Sequence, residues 1–128
     1  MSNKSIARVL GPALVLAALG CTSEQEVKQV SYANDVKPIL DKHCVSCHVS
    51  GQEGASQSGL LMDSYEGLMK GTKHGPVVVA SSAVSSTLYL LVAGKADPSI
   101  RMPHGEEPLS AEEIETIKVW IDRGAAPN

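Results

Sequence analysis

Residues 41–51 read DKHCVSCHVSG: two thiols, Cys44 and Cys47, stand two residues apart, and the imidazole of His48 follows directly. The chain has three cysteines, so this one stretch takes two of them. Thiols and an imidazole at this spacing fit three chemistries: a disulfide or redox pair, part of a zinc site, or covalent attachment of haem. Haem attachment gives each residue its own task. Two thiols with a two-residue gap can add across the two vinyl groups on one porphyrin edge, and the adjacent imidazole can then reach the iron from one face.

The elements around the motif bear on the choice. A helix is expected over about 35–42, capped by Asn34 or Asp35, with Pro38 tolerated near its first turn and Val36, Ile39 and Leu40 as its apolar stripe. It leads directly into the thiols. A thioredoxin-like pair would instead open a helix after a strand, in an alternating strand–helix pattern, so the redox reading is weak. A structural zinc site usually has four ligands, and His43, His74 and His104 are scattered along the chain. Zinc is left as a minor option.

Downstream, the glycine- and serine-rich stretch VSGQEGASQSG reads as a loop. LLMDSYEGLMKG then offers a short helix capped by Asp63 or Ser64, with Leu68 and Met69 facing inward and Gly71 ending it. GPVVVASS reads as a short strand or an extended loop. SSTLYLLVAG is a third helix, capped by Ser85 or Ser86, with Leu88, Leu91 and Val92 inward. KADPSIRMPHGEEP has three prolines and no period, so it is a long connection of the kind that usually carries function. The last helix has the clearest pattern: Ser110 to Glu113 form a capping box, Ile114, Ile117, Trp120 and Ile121 recur at helical spacing, and Gly124 stops it. The domain reads as mainly α.

At the N-terminus, Lys4 and Arg8 precede an apolar run, Val9 to Leu19, of 11 residues. A bilayer-spanning helix needs about 20, so the run reads as the centre of a signal peptide. Residues 1–20 are therefore expected to be removed, and "ALGC" resembles the lipobox of bacterial lipoproteins, with Cys21 as the acyl acceptor and Ala18 where leucine is usual. A soluble secreted form is the alternative. Residues 21–30 read as a flexible tether and residues 31–128 as one folded domain, the chain being too short for two comfortable cores. Export also suits haem attachment, which in c-type cytochromes happens outside the cytoplasm.

Composition narrows the rest. Loss of Lys4 and Arg8 with the signal takes the formal charge from −3 to −5, which removes any electrostatic reason to expect nucleic acid. The aromatic residues are Tyr32, Tyr65, Tyr89 and Trp120, with no phenylalanine. A domain this poor in rings fills its interior with small aliphatic side chains or with a large flat apolar cofactor.

Taken in order, DVKPILDKHCVSCH, GLLMDS, GPVVVASSAVSSTLYLLVAG, RMPHG and LSAEEIETIKVWIDRGA resemble the small class I c-type cytochromes, in particular the single-haem planctomycete-type domains, over about residues 31–125. The resemblance implies a class I cytochrome c fold, three to four short helices wrapped around one covalently bound haem c. It implies attachment at Cys44 and Cys47, His48 as one axial iron ligand with its Nδ1–H held by a backbone carbonyl, and Met102, in the Pro103 loop, as the other. His74 and His104 are the alternatives for the sixth position, Met62 and Met69 read as core filler, and Arg101 is either solvated or paired with a propionate. His43 reads as a polar residue complementing a helix end. The expected function is electron transfer, without catalysis, by a carrier held by lipid on the periplasmic side of a bacterial membrane. Its expected partners are the redox proteins of a respiratory or electron-transfer chain. A small peroxidase-like enzyme or sensor with an open iron is the alternative.

Overall fold

The computed structural model describes residues 29–128. The signal segment, Cys21 and most of the tether lie outside the described residues. Among the described residues five α-helices and no strands are present: α1 Lys37–His43, α2 Glu53–Ser58, α3 Tyr65–Lys70, α4 Thr87–Val92 and α5 Ala111–Asp122. None is long and apolar enough to cross a membrane.

The chain enters through a π-helical turn, Tyr32–Val36, where the Ser31 hydroxyl accepts from the N–H of Asn34. This turn runs into α1, which has proline in its first turn, where a missing N–H removes no helical bond. Together they form one rod of about 18 Å. The helix expected over 35–42 is thus longer at its N-terminal end, because Ser31 caps it rather than Asn34 or Asp35. Val36 and Leu40 are fully buried, and α5 packs back over the first turn.

α5 carries the capping box that its sequence announces: Ser110 Oγ accepts from the N–H of Glu113, and the Glu113 carboxylate accepts from the N–H of Ser110. It buries Ile117, Trp120 and Ile121. Ser64 caps α3 as expected, accepting from Gly67 N–H. Ser86 stands at the cap position of α4 without making a cap bond. Its buried hydroxyl instead accepts from Val79 N–H at 2.8 Å and donates to Ser82 O at 2.8 Å, tying the turn at 79–82 to the start of α4.

Two features depart from the pattern read along the chain. The 53–58 stretch, expected as loop, is helical; it lacks an apolar stripe, burying Ala55, and is held by contact with the thiol motif rather than by a face of its own. Three of the four aromatic residues form one cluster, an arrangement the sequence pattern does not encode. Tyr32, Tyr65 and Trp120 gather with centroids 5.2, 5.5 and 6.5 Å apart. Tyr65 Oη donates to Ala125 O at 2.9 Å and Trp120 Nε1 to Ala126 O at 2.9 Å, which folds the C-terminal segment onto the cluster. Asn128 closes this end by accepting from Ala33 N–H through its backbone oxygen and from Tyr32 N–H through its side chain.

Candidate cofactor cavity

α1 ends where the chemistry begins. Cys44 N–H closes the helix on Leu40 O at 2.8 Å, and the chain then turns tightly, with Cys47 N–H and His48 N–H both donating to Cys44 O at 3.1 and 2.9 Å. Two further bonds fix the turn from outside. Ala55 N–H donates to Cys47 O at 3.0 Å and Met62 N–H to His48 O at 2.8 Å, so α2 and the segment after it clamp the motif.

The motif forms one end of a cavity of about 170 Å³. Cys44, Cys47 and His48 line it together with Leu60, Met62 and Val77, with Leu88, Leu91 and Val92 of α4, and with Met102, Pro103, His104 and Glu106 of the long connection. Met102 is tied to α4 through its N–H and Leu91 O at 3.4 Å. The four residues read from the sequence as haem-binding therefore line one cavity. His104 and Met62 also reach it, whereas His74, Met69 and Arg101 do not. Met62, read as core filler, is fully buried and lines the cavity as well.

Burial pushes the Cys44 thiol up to about 12, with Glu106 and Cys47 adding to the effect. Reactive redox cysteines sit where the thiolate is favoured, as do zinc-bound ones. Cys44 is held in the opposite state, a neutral thiol in apolar surroundings. Its neighbour Cys47 is exposed, and both thiols are free.

His48 lines the same cavity, but the hydrogen bond expected to orient its ring is absent among the described residues. Its Nδ1 is buried and has no hydrogen-bond partner. The backbone carbonyl expected to hold that nitrogen is not found. The ring is packed on Gly54, where an added Cβ would lie 3.1 Å from both Cε1 and Nε2 of His48 and 2.8 Å from Cys47 O. Reading along the sequence missed Gly54, since nothing local marks a glycine six residues past the motif as the floor beneath its histidine.

A half-buried ionic group supports the motif from the other side. Glu113 Oε1 lies 3.0 Å from Lys42 Nζ and 3.0 Å from His43 Nε2. The Ser110 backbone N–H, followed by His43 and Lys42, holds the Glu113 carboxyl down to about 2. His43, expected only to complement a helix end, thus links the start of α5 to the residue before Cys44, and it lines the cavity too.

Residues 44–106 match the family model described as planctomycete cytochrome C. Over that span the chain is similar to the planctomycete cytochrome c domains. The matched span opens on the first thiol and closes on Glu106, so it includes every part of the cavity wall except His43. Among solved structures the domain is similar to a chain of the hydrazine synthase of Kuenenia stuttgartiensis, at 25% identity and a TM-score of 0.52. That likeness covers 76% of this chain and 16% of the other, so the cytochrome domain corresponds to a small part of that protein. No curated protein matches the chain. The family carries a haem-binding, electron-transfer role and implies covalent haem c, for which Cys44 and Cys47 are present; the mainly helical fold agrees.

Proposed function

We propose that the chain is a non-catalytic electron carrier with one haem c, attached through Cys44 and Cys47 and ligated by His48 and Met102. The observation that carries this reading is the convergence of two thiols, an imidazole and a thioether on one apolar-walled cavity. When bound, the group supplies an iron that passes between Fe(III) and Fe(II). The chain's own part is to hold that iron. Cys44 and Cys47 would anchor the group, and His48, packed on Gly54, and Met102, presented from a loop bonded to α4, would hold its iron. A thioether opposite an imidazole raises the reduction potential relative to two imidazoles and leaves no open position for oxygen or peroxide.

Export and acylation at Cys21 would place the carrier on the periplasmic side of a bacterial membrane, where the segment before residue 31 acts as a tether. Its partners are redox proteins that meet the solvent-exposed edge near Cys47 in short-lived contacts. The acidic surface steers basic partners, an attraction that weakens with salt.

Because His104 and Met62 share the wall with Met102, the ligand assignment has a direct test. In Met102→Ala protein purified with its haem, the Met–iron charge-transfer band is lost and the iron becomes open to cyanide or carbon monoxide. An unchanged spectrum rejects Met102. A wild-type spectrum that is already high-spin, with rapid cyanide binding, favours the enzyme or sensor alternative, in which His104 on the wall supplies acid–base chemistry.

A further inference from the structure

The thiol end of the cavity holds an imbalance of charge. Two carboxylates stand near it, and they differ in their company. Glu113 is neutralised where it stands, with Lys42 and His43 both at 3.0 Å. Glu106 lies on the cavity wall itself, and among the described residues no cation pairs with it. The wall includes no lysine or arginine, and Glu106 is its sole carboxylate. Its charge reaches the motif, since it is the foremost electrostatic contribution raising the Cys44 thiol, after burial.

We propose that Glu106 sets the reduction potential of the domain: an unpaired carboxylate on the wall beside Cys44 favours the oxidised, more positive form of the bound group and so lowers the potential. The proposal rests on the haem reading above. In that reading the edge of the ring is bonded to Cys44 and Cys47, so Glu106 stands at the rim where the ring meets solvent. A carboxylate there acts on the iron through space, as a positioning residue for charge and not as a ligand. Glu106 is exposed, so salt screens its effect. Glu107 is equally exposed and next in sequence but is not on the wall, which makes it the natural control.

The test is an equilibrium redox titration of the haem-loaded wild-type, Glu106→Gln, Glu106→Asp and Glu107→Gln proteins at low and high salt, with visible spectra and melting temperatures recorded alongside. Two unit charges about 10 Å apart at an effective dielectric between about 25 and 80 change an equilibrium by about two- to tenfold. E106Q is therefore expected to move the Fe(II)/Fe(III) ratio at fixed ambient potential about two- to tenfold toward Fe(II), tenfold being 59 mV for a one-electron couple. The shift should shrink in high salt, E106D should retain most of the wild-type potential, and E107Q should shift less than half as far. The axial-ligand spectrum and melting temperature should not move. A wild-type potential in E106Q overturns the proposal, as do equal shifts in E106Q and E107Q, or a shift that comes with an altered ligand spectrum. Wild-type protein that carries no haem overturns the reading beneath it instead, so the two failures are distinct.

Discussion

At the scale of single residues, Gly54 shows how closely the motif is built. A methyl group there meets a backbone oxygen at 2.8 Å and an imidazole ring at 3.1 Å, and neither can yield without moving Cys47 or His48. Gly54→Ala is expected to cost about 1–3 kcal/mol, the range for overpacked interiors. It should also lower the fraction of chains that acquire haem, measured as absorbance of the haem band per polypeptide; full loading at wild-type stability would show that the floor is loose. The same residue marks the limit of what the sequence discloses about the site. Cys44, Cys47 and His48 are legible because their chemistry is local, fixed by spacing along five residues. Met102 was reached only through the order of motifs along the chain. Gly54, Met62 and Glu106 meet the motif only after folding, and a one-dimensional pattern holds no trace of that contact.

At the scale of elements, the start of α5 is where fold and site are joined. Glu113 closes the capping box and holds Lys42 and His43, and its folded carboxyl titrates at about 2 against an ordinary value of about 4.3 in an unfolded chain. The folded value is the lower one, so the stabilisation is fully present above about pH 4.3 and is lost as pH falls toward 2. Stability measured by denaturant from pH 6 down to about 2 should fall through this window, and in Glu113→Gln the fall should be shallower, with lower stability at neutral pH. Equal slopes in the two proteins would show that the carboxylate is not linked to folding. α3, α4 and α5 were readable from caps and apolar spacing, because each buries a face that its own sequence encodes. α2 was not, since a polar six-residue helix owes its existence to bonds with Cys47 and to the close approach at Gly54. GPVVVASS, residues 75–82, reads as strand or loop for a similar reason: its 77–82 part has no sheet partner among the described residues, and the hydroxyl of Ser86 decides its course.

At the scale of the whole molecule, the interior has two parts that divide the work of filling space. Around Trp120 the three gathered rings pack against one another and against the C-terminal segment. The cavity wall, by contrast, draws on aliphatic and sulfur side chains and includes none of the four aromatic residues. The scarcity of rings in the composition thus has a location, and the part of the core without them is the part the cofactor reading assigns to haem. An apolar space of about 170 Å³ has an energetic consequence. The space is an open cleft, so without the bound group its apolar wall is left to water, which at about 25 cal/mol for each Å² costs on the order of 3 kcal/mol. For a domain of this size about 1 kcal/mol moves the melting temperature by about 4–8 °C. The double variant Cys44→Ser, Cys47→Ser, which cannot form either thioether, is expected to emerge without covalent haem and to melt at least about 10 °C below the haem-loaded protein. Adding free haem should recover part of that difference, because His48 and the apolar wall remain. A double variant that melts within a few degrees of the loaded protein would show that the helices close the space by themselves, and the bound group would then be cargo of the fold rather than part of its core.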